Sequence, residues 1–329
     1  MLKFTVKRLL YSAVILFFVM FLIYVLMYNM PMSYLEIKAR ELASRPGAGK
    51  SYSEWLSDLN AQYGMDKGIA QGYFTWLGTA FRGEWGESWV WTVPVAEAFH
   101  NTVWYSFALG LVSFILEILI AIPLGIRAAR RQYSFTDYFT TVVSMICISM
   151  PTFFLATLLK YVFSVKLGWF DLTGMQGRNY QYLSEIGKIL DVAKHFVLPA
   201  VTLTVISIGT LMRYTRTNML EVLSADYIRT ARAKGVPEKR VIKVHAFRNT
   251  LIPLITMLGG SLPTLFSGAL ITETLFGIRG IGYASYHSMT QADIPFVMFY
   301  LSFISILTLL GNLVSDLLYA AVDPRVRLS

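Results

Sequence analysis

Two acidic residues, Glu117 and Glu273, lie inside long apolar stretches of this 329-residue chain. A carboxylate at bilayer depth costs about 2.5–3.5 kcal/mol on insertion scales, so each should face protein or a water-filled cavity. Such a group can line a polar path across a membrane or attract an amine. It can equally form a hydrogen bond between helices. We predict that both residues line a polar path across the membrane. For Glu117, a helix–helix hydrogen bond or a protonated carboxyl within the bundle stays open as the alternative.

The residue types that usually carry catalysis are not grouped in this sequence. The four histidines fall in segments that the topology below places apart: His100, His195, His245 and His287. An intramembrane enzyme would need a nucleophile facing its base, and no serine–histidine pair or paired carboxylates occur at one predicted depth. The single Cys147 leaves no disulfide framework. We therefore predict no catalytic residue, no metal site and no cofactor on this chain.

The segment RPGAGKS, from Arg45 to Ser51, is similar to a phosphate-binding loop. That loop needs a glycine at the position that Ser44 occupies, and it follows a buried strand that is not predicted here. A turn in an external segment is the better interpretation. Any ATP would then be bound by a partner.

The composition predicts a membrane protein. The chain is 55% hydrophobic and only 15% charged, with a mean hydropathy of +0.52, whereas a soluble domain carries about 25% charged residues. The net charge of +9 could suggest a nucleic-acid partner. The cations, however, cluster beside apolar runs, as they do in membrane proteins whose orientation they set.

Six apolar runs are long enough to cross a bilayer, which takes about 20 residues. They are Leu9–Met30, Val103–Ile126, Tyr138–Val165, Phe196–Met212, Leu251–Phe276 and Phe296–Leu318. We therefore predict an all-α membrane protein with six transmembrane helices. The first run is too long for the apolar part of a signal peptide, and no small-residue cleavage site follows it, so we interpret it as a retained anchor.

Lysine and arginine in short loops predict the orientation of the spans. Cations are concentrated near residues 3–8, 127–131, 213–248 and 325–327, and they are fewer in the opposite short loops, Lys166–His195 and Gly277–Pro295. The long segment Pro31–Thr102 is left out of this comparison, because long loops do not follow the rule. We therefore predict that both termini and the long basic loop are cytoplasmic and that Pro31–Thr102 is external. The expected division is an anchor helix at 1–30, an external region at 31–102, and a core at 103–329 that carries the basic loop at 213–250.

Five tryptophans lie near the end of the external region and the start of the second span: Trp76, Trp85, Trp89, Trp91 and Trp104. An aromatic belt at the level of the lipid headgroups would explain them. A docking surface for an external partner would explain them too, because tryptophan anchors interfaces well. Both interpretations stay open.

The basic loop has the features of an ordered element. Arg213 through Ala233 predicts one helix that extends the fourth span, and Gly235 followed by Pro237 ends it. A second helical segment is expected to begin near Pro237. The loop also contains apolar residues that a merely solvated loop would not favour: Val236, Val241, Ile242, Val244 and Phe247. These features predict a helix–glycine–helix elbow that fits a socket in a second protein.

The segment DYIRTARAKGVPEKRVIKVHAFRNTLIP, Asp226 to Pro253, closely resembles the coupling loop of ATP-binding-cassette importer permeases. The resemblance is greatest to the B-type permease of dipeptide and oligopeptide transporters. It extends to Ile122–Asp137, Ser149–Leu159, Leu167–Phe170, Glu273–Pro295 and Asp323–Arg327. The chain has Arg229 and Thr230 where the wider family has Glu and Ala. It also lacks the usual proline in the turn Ile278–Gly282, which should loosen that turn.

The resemblance implies a permease with the type I importer fold in the cytoplasmic membrane of a bacterium or archaeon. The implied partners are a second homologous permease, two cytoplasmic ATPases that bind ATP, and an extracytoplasmic solute-binding protein. The residues expected to contact an ATPase are Asp226, Arg229, Thr230, Ala231, Ala233, Gly235 and Glu238. The implied cargo is a di- or oligopeptide. Nickel or short oligosaccharides carried by the same architecture, an intramembrane enzyme, and a channel-like or scaffold protein are the alternatives.

Overall fold

The structure is a computed structural model that describes residues 2–29, 33–45 and 49–322. The Asp323–Arg327 motif, and residues 46–48 of the segment similar to a phosphate-binding loop, lie outside the described residues. The rest of that segment has a local use. Ser51 caps the helix that follows it and forms a capping box with Glu54, and Lys50 pairs with Asp58 at 2.5 Å.

The described residues form helices and turns, with a single isolated β-bridge between Glu87 and Pro94. The α-helices are α1 Leu2–Tyr28, α2 Ser33–Ser44, α3 Tyr52–Tyr63, α4 Ile69–Phe81, α5 Val95–Arg130, α6 Phe135–Ser149, α7 Thr152–Leu159, α8 Glu185–Ser224, α9 Asp226–Ala233, α10 Glu238–Arg240, α11 Phe247–Gly259, α12 Leu262–Ser267, α13 Leu270–Phe276, α14 Ile281–Thr290 and α15 Ile294–Val322. Short π-helical turns continue α7 over Lys160–Lys166 and α10 over Val241–Ala246. The all-α prediction is confirmed.

Four helices are long and apolar enough to cross a membrane within the described residues. They cover Thr5–Tyr28, Val95–Arg130, Glu185–Ser224 and Ile294–Leu318. Two bent pairs bring the number to six if each pair counts as one span: Phe135–Ser149 with Thr152–Lys166, and Glu238–Leu251 with Pro253–Ser267.

The third predicted span, Tyr138–Val165, is not one straight helix, because α6 and the α7 segment meet at an angle of 102°. The corner lies at Met150, which is extended (φ −82°, ψ 121°) immediately before Pro151. A proline disfavours helical backbone in the residue before it, which explains the corner. The fifth predicted span is also divided, into α11, α12 and α13, with Gly268 at φ +79° between the last two.

The chain divides into two compact units, and residues 284–309 group with 1–102 rather than with the core predicted at 103–329. The core of this first unit contains the buried side chains of Tyr24, Tyr73 and Trp76. Tyr24 Oη donates to the Tyr63 carbonyl oxygen at 3.0 Å. Of the five clustered tryptophans, Trp76 is therefore a core residue, whereas Trp104 is 52% exposed.

A buried aspartate ties distant parts of the first unit together. Asp293 is fully buried, and one of its carboxylate oxygens accepts a hydrogen bond from the Ser88 hydroxyl. The backbone N–H groups of Trp89 and Val90 donate to the same carboxylate at 3.0 and 3.2 Å. Trp91 Nε1 donates to the hydroxyl of Ser288 at 3.1 Å. The segment around 88–91 is thus fixed to residues about two hundred positions later in the chain.

The second unit contains residues 103–283 and 310–329. Helix α8 supplies much of its interior. Its buried side chains include Leu211 and Met212, which pack with Leu254 of α11. Helix α6 is held on α8 by an ion pair in which Arg216 Nη2 lies 2.8 Å from the buried carboxylate of Asp137. These helices form the frame on which the basic loop rests.

Candidate coupling site and path residues

The α8 helix includes the first part of the basic loop but does not continue to Ala233, so the prediction of one helix over Arg213–Ala233 is wrong. Helix α8 ends at Ser224, Ala225 is extended (φ −68°, ψ 147°), and α9 begins at Asp226. The cause is tertiary. Ile228 is fully buried in one cluster with Met219 and Val241. A straight helix would separate residues 219 and 228 by about 13.5 Å along its axis, since each residue adds about 1.5 Å.

Helix α9 ends in a glycine turn. The N–H of Gly235 donates to the Arg232 carbonyl at 2.9 Å, and the N–H of Val236 donates to the Ala231 carbonyl at 3.2 Å. This pair of hydrogen bonds is the Schellman motif, which requires a left-handed residue at the glycine position. Gly235 has φ +75°, and nothing lies within 4 Å of a Cβ built on it. The glycine is therefore required by its backbone conformation and not by crowding within this chain.

An ion pair closes the elbow across this turn. Arg232 Nη2 lies 2.8 Å from Glu238 Oε1, and Arg232 Nε lies 3.1 Å from Glu238 Oε2. The hydrogen bonding of Arg232 to the Glu238 carboxylate, which accepts from it, is the main cause that raises the pKa of Arg232 above its ordinary value. Sequence reasoning named Glu238 but missed Arg232. The ion pair could have been predicted, because Arg232 and Glu238 carry opposite charges on either side of the Gly235–Pro237 turn.

The apolar residues of the loop mostly face inward. Val241 and Ile242 are buried, and Val236 and Ala231 pack against the same cluster, which also contains Ala129 and Ala246. These apolar residues therefore join α9 to α5 and α8. They do not by themselves form a surface for a second protein. Among the apolar side chains of the loop, Tyr227 and Val244 are about half exposed.

The predicted contact residues form the exposed side of the elbow, with one exception. Ala231 is half-buried against the cluster. The exposed members are Asp226, Arg229, Thr230, Ala233, Gly235 and Glu238. Asp226 Oδ1 and Arg229 Nη1 lie 3.4 Å apart on this surface. The surface is thus polar and mixed in charge, and it stands on an apolar base made by the same chain.

Glu273 lies in the interior of the second unit, where it holds a turn. Its Oε1 accepts from the Ser106 hydroxyl at 2.6 Å and from the Ala269 N–H at 2.9 Å. Its Oε2 accepts from the Tyr283 N–H at 2.8 Å. The Ser106 hydroxyl oxygen in turn accepts from the Ile281 N–H at 2.7 Å. The side chain is fully buried, and its place on a translocation path stays a prediction.

The turn Ile278–Gly282 lacks the usual proline, but Glu273 and Ser106 hold it by hydrogen bonds. A Cβ at Gly280 would lie 2.6 Å from Glu273 Cδ, so only glycine fits beside the carboxylate. Ile278 is nearly fully buried, and its N–H donates to the Glu273 carbonyl at 2.8 Å. The Glu273 carboxylate and main chain therefore restrict the conformation of this turn without a proline.

Glu117 has a different environment from Glu273. It lies in the middle of α5, and its side chain is partly exposed. No hydrogen-bond partner for its carboxylate occurs among the residues that the structure describes. Of the two predicted path residues, Glu117 is therefore the one whose carboxylate is accessible. No group of three or more His, Cys, Asp or Glu side chains that could hold a metal occurs in the described part of the chain.

Two family models together cover most of the chain. Residues 121–328 match the binding-protein-dependent transport system inner membrane component, and residues 1–93 match the N-terminal part of membrane components of such systems. The chain belongs to this family. It is therefore a multi-pass inner-membrane transport subunit and not an enzyme, and membership implies a partner ATPase and a solute-binding protein.

Two curated relatives carry names that specify a cargo. The chain is 40% identical over 266 residues to the oligopeptide transport system permease protein AppB of Bacillus subtilis (strain 168), covering 80% of this chain and 83% of the relative. It is 34% identical over 290 residues to the dipeptide transport system permease protein DppB of Escherichia coli (strain K12), covering 82% and 85%.

A solved structure supports the fold. The chain is similar to a chain in inward-facing structures of the MetNI methionine ABC transporter, with a TM-score of 0.53 and 18% identity. The match covers 70% of this chain and 98% of that chain. The predicted importer permease fold is thereby confirmed.

Proposed function

We propose that this chain is the permease subunit of an ATP-driven importer for di- or oligopeptides and forms half of its translocation path. The proposed partners are a second homologous permease, two cytoplasmic ATPases that bind and hydrolyse the ATP, and an extracytoplasmic solute-binding protein. The similarity to AppB and DppB supports a peptide cargo over nickel or short oligosaccharides. No ATP or other cofactor is assigned to this chain.

The observation that carries the coupling role is the elbow of α9 and α10 seated on the apolar cluster. The exposed side offers polar side chains to an ATPase, and the buried Ile228 and Val241 pack with Met219 of α8 and Ala129 of α5. Packed interiors transmit displacement because they are dense and resist compression. An ATPase that moves α9 would therefore move the cytoplasmic ends of α5 and α8 with it. Such movement suits a transition between inward-open and outward-open states.

Site-directed cross-linking tests the contact with the ATPase. Cys147 is buried, so a new cysteine on an exposed position is the reactive one. Arg229→Cys and Ala233→Cys should each cross-link to an ATPase subunit in membranes that contain the whole transporter. The control is Tyr182→Cys, at a 90% exposed position in a predicted external segment. Equal cross-linking at position 182, or none at 229 and 233, would contradict the coupling role.

Competition measurements test the cargo. Cells that express the complete transporter and lack other peptide uptake should accumulate a labelled dipeptide or tripeptide in an ATP-dependent manner. Unlabelled peptides should compete, whereas nickel and a trisaccharide should not. Uptake of nickel or the sugar in place of peptides would overturn the proposed cargo and leave the coupling role standing.

A further inference from the structure

Two cavities in the first unit meet at one residue, Ala292. The first has a volume of about 440 Å³ and is lined in part by Lys38, Glu41, Trp89 and Gln291. The second is a groove of about 300 Å³ whose lining side chains, including Leu26 and Met298, are apolar. Ala292 lines both cavities. A charged cavity and an apolar groove are therefore neighbours on either side of this residue.

The groove lies at the ends of two candidate membrane spans. Its α1 residues belong to the last turns of the span Thr5–Tyr28, and its α15 residues belong to the first turns of the span Ile294–Leu318. An apolar groove at this height faces the region where the acyl chains of a bilayer meet the headgroups. The charged cavity is lined by residues of helix α2 and by Trp89 and Val90, all of which follow the α1 span in the chain. Its place thus suits a headgroup.

The charged cavity contains a cation and an anion in contact. Lys38 is only 7% exposed, and its Nζ lies 2.8 Å from Glu41 Oε2. Its one other hydrogen-bond acceptor among the described residues is the Trp89 carbonyl, at 3.5 Å. A lysine ammonium has three donors, so it can still serve a further acceptor. A largely buried cation is stabilised by each acceptor that it gains.

Glu41 provides the negative side of the cavity. It also pairs with Arg45, whose Nη2 lies 2.7 Å from Glu41 Oε1. Burial raises the pKa of the Glu41 carboxyl, but the hydrogen bonds from Lys38 and Arg45 together outweigh burial, and the pKa lies below its ordinary value. The carboxylate is therefore charged at neutral pH.

We propose that this site binds one molecule of phosphatidylethanolamine from the leaflet next to the predicted external region. The lipid phosphate would contact Lys38, its primary ammonium group would contact Glu41, and an acyl chain would fill the groove below Ala292. Paired opposite charges favour a zwitterionic headgroup over a purely anionic one. A primary ammonium donates hydrogen bonds to a carboxylate, whereas the quaternary ammonium of phosphatidylcholine has no N–H group to donate.

Native mass spectrometry of the purified full-length chain in detergent tests this proposal. The probes are palmitoyl-oleoyl phosphatidylethanolamine, phosphatidylcholine and phosphatidylglycerol, added one at a time. We expect one bound phosphatidylethanolamine per chain, with weaker binding of the other two. Lys38→Gln should lower its affinity about tenfold, as loss of a charged hydrogen bond commonly does, and Lys38→Arg should retain most of it. Glu41→Gln should abolish the preference over phosphatidylcholine.

Variants at exposed positions separate loss of binding from misfolding. Leu26→Trp fills the groove at a position that is 61% exposed, and should weaken phosphatidylethanolamine binding several-fold. Its control is Leu22→Trp, one turn earlier on α1, 59% exposed and outside the lining of the groove. Equal binding of all three lipids, or equal effects at positions 22 and 26, would overturn the proposal. So would a cavity filled by a solute-binding protein or by the second permease in a structure of the whole transporter.

Discussion

The guanidinium group of Arg232 and the carboxylate of Glu238 face each other across the turn at Gly235. Two hydrogen bonds, of 2.8 and 3.1 Å, join them. Each side chain is about half exposed, and exposed ion pairs add only about 0.2–1 kcal/mol to stability. We therefore expect the pair to restrict the angle between α9 and the segment after Pro237 rather than to contribute much to the stability of the fold.

Charge reversal tests this role of the ion pair. Arg232→Glu should reduce peptide uptake and increase hydrogen exchange of the amides in 226–246, with little change in the thermal midpoint of the protein. The double variant Arg232→Glu with Glu238→Arg should recover both quantities because the pair is restored with its signs exchanged. A double variant that transports no better than the single one would show that one of the charges contacts a partner directly.

Substitutions at Gly235 separate backbone conformation from space. A bulky β-branched residue, as in Gly235→Val, should leave membrane insertion intact and abolish uptake, because a left-handed conformation costs such a residue about 1–2 kcal/mol or more. Gly235→Asn should retain much of the uptake, since asparagine adopts this conformation readily. Loss of uptake in both variants would instead mean that a partner approaches the glycine too closely for any side chain.

Replacement of Glu273 should lower the stability of the folded protein, and any loss of transport should follow from that. Glu273→Ala leaves the hydroxyl of Ser106 and the N–H groups of Ala269 and Tyr283 without their acceptor, and each unpaired buried donor costs about 1–3 kcal/mol. We expect a lower thermal midpoint and a lower yield of folded protein. Glu185→Ala, at an exposed glutamate, is the control. A Glu273→Ala protein of normal stability that fails to transport would indicate that Glu273 acts in the translocation path.

Replacement of Glu117 should have the opposite profile. Glu117→Gln replaces a partly exposed carboxyl group on α5 with an amide of the same size. If the carboxylate lines the path, uptake should fall while the free energy of unfolding stays within about 0.5 kcal/mol of the parent's. Glu97→Gln, in the first turn of the same helix, is the matched control. Equal uptake by the Glu117→Gln and Glu97→Gln variants would exclude a role for Glu117 in the path.

The sequence predicted features that depend on nearby residues and missed those that depend on distant ones. The helix end at Ala233 was predictable because Gly235 and Pro237 are local signals. The corner before Pro151 has a local signal too, although the length of the apolar run concealed it. The break at Ala225 has no such signal, because it follows from the packing of Ile228 on Met219 and Val241. The environment of Glu273 depends on Ser106, which is 167 positions earlier.

The hydrogen bonds between Asp293 and the segment 88–91 have a consequence for the order in which the protein matures. Trp89 and Val90 leave the ribosome long before Asp293 exists, so their N–H groups must donate to water in the meantime. The base of the coupling elbow, in contrast, is complete once Ala246 has been made, since every residue of that cluster precedes it. We therefore expect the first unit to be the last part to fold, and chains truncated before Asp293 should remain sensitive to protease in the predicted external region.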